Sequence, residues 1–281
     1  EVPQQRAQEV LKRFFQGPVN MLDTSRNYAM GESEKRIGIA IKANDGWPEK
    51  FVLSTKIDRN MDTLVLDEKR TRESFEESLK TLNVDSVDVL FLHDPEYAKD
   101  INDLTKKGGA LDELFKIKEE GLAKAVGLAM GKIDIMFPIL RNWEFDVIIN
   151  HNRYTLLNRE ADEMYSYAHS KNISIFNAAP YAGGVLAKGP SKFKKITYQD
   201  ASEEKLAPAR EIEKVCKKYN VEMGAAALQF SMKDKRITST ICGVTSVQSI
   251  EKNLAWAKTD IPEEFWNEVS KLPYSTKDPE S

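Results

Sequence analysis

The sequence predicts an α/β protein folded as a (β/α)8 barrel, and three observations lead to that prediction. Seven short apolar runs alternate with amphipathic stretches along the whole chain, which is typical of βα units built around a parallel sheet. A closed barrel of this type needs eight strands, one more than the seven runs. The Gly-x-Gly-x-x-Gly loop of the doubly wound dinucleotide-binding fold follows none of the runs, so an open sheet of that type is disfavoured.

The seven runs are rich in β-branched and aromatic residues and are too short for helices, as buried strands of a parallel sheet are. They lie at residues 19–22, 51–55, 87–92, 123–129, 146–150, 173–178 and 239–244. Because a sheet of only these strands would have two unpaired edges, we expect a further first strand that would precede Glu1.

The stretches between the runs have the apolar spacing of helices. Ala7, Leu11 and Phe14 fall on one face of the first stretch, and the same spacing recurs at 37–41, 75–82 and 111–117. Two longer segments interrupt the alternation, at residues 179–206 and after Lys258, where one more helix is expected. No linker or low-complexity tract separates two parts, so we expect a single barrel domain over residues 1–281.

Composition excludes several classes of protein. Lysine and arginine number 41 against 44 aspartates and glutamates, a net charge of −3, which argues against a nucleic-acid-binding protein. Cys216 and Cys242 lie far apart and outside any Cys-x-x-Cys pair, so neither a disulfide framework nor a metal site is expected. No apolar run reaches about 18 residues. We therefore expect a cytoplasmic protein without a membrane segment.

Ionisable side chains follow three successive strands. Asp23 and Tyr28 come after the first run, Lys56 directly after the second and His93 directly after the third. In a parallel barrel the carboxyl ends of the strands form the site of chemistry, so these four side chains are expected at one rim. A buried ammonium is costly without a partner, and Asp23 is the nearest candidate partner for Lys56. Singly, each residue has an ordinary structural explanation; together they indicate a catalytic site.

The chain resembles the aldo-keto reductases over essentially its whole length. The segment LDTSRNYAMGESEKRIG is similar to the Asp-x4-Tyr signature and Gly-x-Ser-Glu helix start of that family, and LHDPE, RYTLLN and NAAPYAGGVLAKGP resemble its aldose (fucose- or threo-aldose-type) and pyridoxal dehydrogenase branch. The resemblance implies a barrel that binds NAD or NADP in an extended pose without a Rossmann domain. It also implies hydride transfer between nicotinamide and a sugar lactol, an aldehyde or another small carbonyl substrate.

Elementary acid–base chemistry gives each of the four residues a role. Hydride transfer to a carbonyl leaves an alkoxide that needs a proton, and alcohol oxidation needs the reverse. Tyr28 is the expected general acid and base, with its ordinary pKa of ~10 lowered by the Lys56 ammonium. Asp23 would hold Lys56 in place. His93 would donate a hydrogen bond to the substrate oxygen.

The resemblance also implies a set of cofactor-binding residues, several of which depart from the commoner family pattern. Ala129 and Met130 replace a Ser-Asn pair, His151 replaces a glutamine, and Ala178 replaces a tyrosine that stacks on the nicotinamide. Tyr181 is a candidate to compensate for that loss. The full implied set is Asp23, Ala129, Met130, His151, Ala178, Pro180, Tyr181, Gly183, Gly243, Val244, Thr245, Gln248 and Asn253.

NAD is expected to be preferred over NADP. In NADP-using relatives, basic residues near the start of the last barrel helix bind the 2′-phosphate, and the matching positions here are the neutral Gly243 and Ser249. Charge-assisted hydrogen bonds to a phosphate are worth ~1.5–3 kcal/mol each, enough to reverse a preference. Lys252, one helical turn further on, is the nearest cation that could replace them.

Two other functions remain open on sequence alone. Lys56 at a barrel strand end could form a Schiff base, which would make the protein an aldolase. The departures at Ala129, Met130 and Ala178 also leave open a non-catalytic subunit of the same fold that only binds nucleotide.

Overall fold

A computed structural model describes residues 2–281 and contains two compact units. The first unit comprises residues 2–130, Pro138–Ile148 and Val244–Val247, and the second comprises Gly131–Phe137, Ile149–Gly243 and Gln248–Ser281. Each unit is built on a row of neighbouring strands with helices between them. The strand β5 is divided between the two units.

The first unit contains four complete strands and the start of β5, in the spatial order of the chain. They are β1 (Met21–Asp23), β2 (Val52–Ile57), β3 (Val87–His93), β4 (Ala123–Met130) and β5 (Val147–His151). The first four pair in parallel, with Asp23 opposite Ser54 and His93 opposite Ala129. Parallel register therefore brings the carboxyl ends of β1, β2 and β3 to one edge.

Helices connect the strands of this unit. They are α1 (Gln4–Phe15), α2 (Glu32–Ala43), α3 (Glu68–Leu82), α4 (Asn102–Thr105), α5 (Ala110–Glu119) and α6 (Ile133–Asn142), the second half of which belongs here. The Asp67 side chain caps α3 by accepting a hydrogen bond from the Arg70 N–H. Helices α2 and α3 touch at Gly38, where a Cβ would lie 2.1 Å from the Thr81 carbonyl oxygen. Only glycine permits this approach.

The second unit contains the end of β5 and two further strands of the sheet, in the order β5-β6-β9. Its strands are β6 (Ser174–Ala178), β7 (Lys195–Ile196), β8 (Gln199–Asp200) and β9 (Ser239–Ile241). Its helices are α7 (Asp162–Ser170), α8 (Val185–Lys188), α9 (Glu203–Lys218), α10 (Met223–Lys233), α11 (Val247–Lys258), of which Val247 belongs to the first unit, and α12 (Glu263–Val269). Leu206, Ile212 and Phe265 are fully buried in its core.

The seven predicted strands are confirmed, and the differences lie at their ends. Strand β2 continues to Ile57, so Lys56 lies inside it rather than after it. Strand β9 stops at Ile241 and leaves Gly243 in the loop before α11. The hairpin of β7 and β8 within residues 179–206 was not predicted, because strands of two residues have no detectable periodicity. The single-domain organisation and the strand before Glu1 stay predictions.

None of the helices formed by residues 2–281 combines the length and the apolar character that crossing a lipid bilayer requires.

Candidate active site

Lys56 and Asp23 form a buried ion pair between neighbouring strands. The Lys56 Nζ donates to Asp23 Oδ2 at 2.6 Å and to the Thr24 carbonyl oxygen at 2.7 Å. Their side chains are 1% and 4% exposed, respectively. Burial alone would lower the pKa of Lys56, but the Asp23 carboxylate and Tyr28 together raise it above its ordinary value. The lysine is therefore a permanent cation in the folded protein.

Tyr28 lies in the loop after β1, beside that cation. The Lys56 Nζ is 4.5 Å from the centroid of the Tyr28 ring, and the side chain remains accessible, with 41% of its surface exposed. Burial of its surroundings raises the pKa of the Tyr28 hydroxyl, the Lys56 ammonium opposes that shift, and Asp23 adds to it. The prediction that Lys56 lowers this pKa below its ordinary value is thus wrong, because desolvation of the hydroxyl, aided by the Asp23 carboxylate, outweighs the effect of the ammonium. The phenol is protonated at neutral pH.

His93 is the last residue of β3 and completes the predicted cluster. Its ring lies edge-to-face with Tyr28, with the two centroids 5.6 Å apart. Its Nε2 is 3.7 Å from Asp94 Oδ2, and its Nδ1 is 2.7 Å from Asp58 Oδ1. The structure therefore brings Asp23, Lys56, Tyr28 and His93 together within the first unit.

Asp58 is a residue of this cluster that sequence reasoning missed. It follows β2, is 1% exposed, and accepts hydrogen bonds from the Ser25 hydroxyl at 2.6 Å and from the backbone and side-chain nitrogens of Asn27 at 3.0 Å. Burial would raise the pKa of Asp58, but the hydrogen bonds from His93, Ser25 and Asn27 hold it below its ordinary value. The signal was available: Asp58 comes directly after β2, at a strand end of the same kind as those that indicated the other residues of the site.

A buried carboxyl group anchors the helix that follows the Tyr28 loop. Glu34, in the first turn of α2, is fully buried and its Oε1 accepts from the Thr55 hydroxyl at 2.6 Å. Burial raises the pKa of Glu34 above its ordinary value. A second contact, 2.8 Å between the hydroxyl oxygens of Thr24 and Ser33, lies on the same helix start. These contacts fix both ends of the loop that presents Tyr28.

The proposed cofactor residues of the first unit differ in exposure. Ala129 and Met130 end β4 and are buried, and the Ala129 carbonyl oxygen accepts from the Asp94 N–H at 2.8 Å. Their side chains offer no polar group to a ligand. Val244 and Thr245, before α11, are exposed.

His151 ends β5 in the second unit, and its neighbours determine where its proton lies. Donor nitrogens of Asn152 and Arg153 lie 3.2 Å and 3.5 Å from His151 Nδ1. Because Nδ1 accepts from them, the proton of the neutral ring is on Nε2. Among residues 2–281, Asn152 Oδ1 is one of the buried oxygens without a hydrogen-bond partner. The segment thus contains one buried acceptor without a hydrogen bond, on Asn152.

Tyr181 and Asn253 are brought into contact in the second unit. The Tyr181 hydroxyl donates to Asn253 Oδ1 at 2.8 Å, and its ring packs on Trp256 with centroids 5.6 Å apart. Burial raises the pKa of Tyr181. The structure therefore places Tyr181 against α11.

The remaining proposed residues of this unit differ in exposure and in backbone geometry. Ala178 ends β6 and is half-buried, Pro180 is buried, and Gln248 on α11 is exposed. Gly183 has a φ of +72°, where a Cβ would lie 2.8 Å from the Tyr198 nitrogen. At Gly243, by contrast, an added Cβ would meet nothing within 4 Å.

Comparisons with known proteins identify the family of the chain. The model of the "Aldo/keto reductase family" matches residues 1–273. The chain is 28% identical to L-galactose dehydrogenase of Arabidopsis thaliana, covering 90% of this chain and 78% of that protein. It is 28% identical to D-threo-aldose 1-dehydrogenase of a Pseudomonas species (93% and 86%) and 25% identical to pyridoxal 4-dehydrogenase of Microbacterium luteolum (92% and 86%).

A solved structure shows the same fold. The holo form of an aldo-keto reductase from Bacillus halodurans matches with a TM-score of 0.79 at 17% identity, covering 99% of this chain and 90% of that one. This likeness confirms the fold class predicted from the sequence.

Proposed function

Because the chain belongs to the aldo/keto reductase family, we propose that it is a nicotinamide-dependent dehydrogenase of aldoses or related small carbonyl compounds, with Tyr28 as its acid–base group. The observation that supports this most directly is the partly exposed Tyr28 side chain, whose ring lies 4.5 Å from the Nζ of the buried Lys56–Asp23 pair. The relatives named as aldose and pyridoxal dehydrogenases support the substrate class.

The residues present fit a nicotinamide dinucleotide. The amide hydrogens of a carboxamide need an acceptor, and the buried Asn152 Oδ1, which has no hydrogen-bond partner among residues 2–281, supplies one. The exposed Gly243 to Thr245 segment precedes the N-terminus of α11, whose free backbone N–H groups attract phosphate. When bound, the nicotinamide supplies or accepts the hydride.

The protein side chains manage the proton. In carbonyl reduction Tyr28, protonated at neutral pH, donates its proton to the substrate oxygen and becomes a phenolate. The Lys56 ammonium stabilises that phenolate, and Asp23 fixes the ammonium in position. His93, beside Tyr28, orients the substrate oxygen. In alcohol oxidation the same atoms exchange the proton in the opposite direction.

The pairing of Lys56 disfavours the aldolase alternative. A Schiff base needs a neutral amine that can attack a carbonyl. Burial lowers the pKa of Lys56, but the Asp23 carboxylate and Tyr28 outweigh it and leave that pKa above its ordinary value. The Lys56 nitrogen is also engaged by Asp23 and Thr24.

We further propose that NAD is the preferred cofactor. Gly243 and Ser249 offer no positive charge to a 2′-phosphate. Lys252, the cation that could replace them, lies 3.7 Å from Glu222 Oε2 and over the Trp256 ring at 4.5 Å from its centroid. A phosphate would have to compete with both contacts for this lysine.

Turnover assays test these proposals. A panel of aldoses, pyridoxal and simple aldehydes, with the matching lactols and alcohols, is assayed with NAD(H) and NADP(H) by nicotinamide absorbance. We expect turnover of at least one aldose-type substrate with higher kcat/KM for NAD(H). Absence of turnover with every pair, together with borohydride trapping of substrate on Lys56, would favour the aldolase instead. A clear advantage for NADP(H) would refute the cofactor preference alone.

A further inference from the structure

The Asp58 carboxylate fixes the position of the proton on His93. Asp58 Oδ1 is 2.7 Å from His93 Nδ1, and the hydrogen bonds that surround Asp58 lower its pKa, so it is ionised. Ser25 Oγ is also near Nδ1, at 3.2 Å, but its hydroxyl proton is directed to Asp58 Oδ2 at the shorter distance of 2.6 Å. A carboxylate can only accept, so Nδ1 must carry a proton in every charge state of the ring.

This placement leaves Nε2 as the only atom of His93 that changes protonation. The neutral ring presents a lone pair at Nε2 and can accept a hydrogen bond from an alcohol, whereas the imidazolium presents an N–H and can donate to a carbonyl oxygen. The groups that face the ring are Asp58, Ser25, Tyr28 and, 3.7 Å from Nε2, Asp94. Lys56, beyond Tyr28, forms its ion pair with Asp23.

We propose that Asp58 is a positioning residue for His93. It keeps a proton on Nδ1, so that the protonation of Nε2 decides whether His93 assists reduction or oxidation. Because Asp58 keeps the proton on Nδ1, the imidazolium form assists carbonyl reduction through its Nε2–H, and the neutral form assists alcohol oxidation through the Nε2 lone pair. This inference rests on the proposed oxidoreductase function. It assigns Asp58, which lies outside the four residues of the predicted site, a role that acts through His93.

The location of the proton is tested without substrate, by 15N NMR of the imidazole groups. The chain has three histidines, and His93→Gln assigns the His93 signals by their loss. We expect neutral His93 to be protonated at Nδ1 in the wild-type protein, and Asp94→Asn to keep that form. In Asp58→Asn the titration midpoint of His93 should move down by about one pH unit or more, the usual effect of losing a neighbouring opposite charge.

Kinetics in both directions tests the consequence. In the wild-type protein, kcat/KM for reduction should fall and that for oxidation should rise with increasing pH through the same midpoint. Asp58→Asn should lower reduction about tenfold at neutral pH, the effect of a one-unit shift, and oxidation by less. Asp58→Glu, which restores the charge, should recover part of the loss.

Three results would overturn the inference. They are neutral His93 protonated at Nε2 in the wild-type protein, an unmoved midpoint in Asp58→Asn, and an equal loss of both directions. The wild-type NMR result stands even where Asp58→Asn does not fold. A protein that lacks turnover but shows Nδ1-protonated His93 would contradict the proposed function and leave the position of the proton confirmed.

Discussion

Replacing Lys56 with methionine should destabilise the protein strongly while leaving the local packing nearly unchanged. Methionine is unbranched and fills much of the space of the lysine stem. The change removes the ammonium that lies 2.6 Å from Asp23 Oδ2, in a place where the two side chains are 1% and 4% exposed. Asp23 keeps the hydrogen bond from the Ser54 hydroxyl at 2.8 Å but loses its counter-charge. The energetic question is the cost of one buried, unpaired carboxylate.

Breaking a buried pair by removing one partner typically costs ~3–5 kcal/mol. For a protein of this size, 1 kcal/mol corresponds to ~2–4 °C in Tm, so Lys56→Met should lower Tm by roughly 6–20 °C. In Asp23→Asn/Lys56→Met both charges are absent, and no ion is stranded. The double variant should therefore be more stable than the sum of the single effects implies, by ~1–3 kcal/mol.

Urea unfolding of the wild type, the two single variants and the double variant measures this coupling free energy. The m-value of each variant must match that of the wild type for the comparison to hold. A Lys56→Met protein as stable as the wild type, or strictly additive single effects, would refute the idea that the pair is electrostatically coupled. Loss of turnover in all three variants would accompany the expected result, since each one removes part of the Tyr28 environment.

Three further expectations concern Tyr28, cofactor choice and pH. Tyr28→Phe should reduce kcat by ~10²–10⁴ with cofactor affinity, measured by nicotinamide fluorescence, nearly unchanged; wild-type turnover would contradict the assignment. Gly243→Arg should raise kcat/KM for NADP(H) relative to NAD(H) about tenfold. Tm should not change, because an added Cβ would meet no atom within 4 Å. An unaltered ratio would show that residue 243 does not contact the 2′-phosphate. Burial, aided by Asp278 and opposed by Arg153, raises the pKa of Glu160 from 4.5 to about 7. The folded state therefore binds the Glu160 proton more tightly, and its stability falls as pH rises between those values. Glu160→Gln should accordingly raise Tm at pH 8 but not at pH 4. An equal effect at both pH values would contradict a raised pKa of Glu160 in the folded protein.

The four predicted residues of the site could be found from sequence because they follow consecutive strands. In-register parallel pairing carries Asp23, Lys56 and His93 to one edge, and a short loop adds Tyr28. Strand periodicity alone was enough to predict this geometry. The ends of the strands were less certain, since β2 extends past Lys56 to Ile57 and the apolar run does not show where its hydrogen bonds stop.

The electrostatics of the site could not be predicted in the same way. Whether Lys56 lowers the pKa of Tyr28 depends on how much of its charge Asp23 cancels and on how far the hydroxyl is desolvated, and both are properties of the packed structure. The Asp58–His93 contact joins residues 35 positions apart. Its distance of 2.7 Å depends on how these side chains pack in three dimensions, on which residue spacing gives no information.

Arg153 shows how far apart in the chain two interacting groups can be. Its side chain is fully buried, and the Nη2 donates to Asp278 and Glu280, which follow it by 125 and 127 residues. At a synthesis rate of ~5–20 residues per second, those carboxylates are made roughly 6–25 s after the arginine. A buried guanidinium without its partners is unstable. The second unit therefore cannot reach its final packing early in translation, and its folding on the ribosome must wait for a segment synthesised long after its first strand.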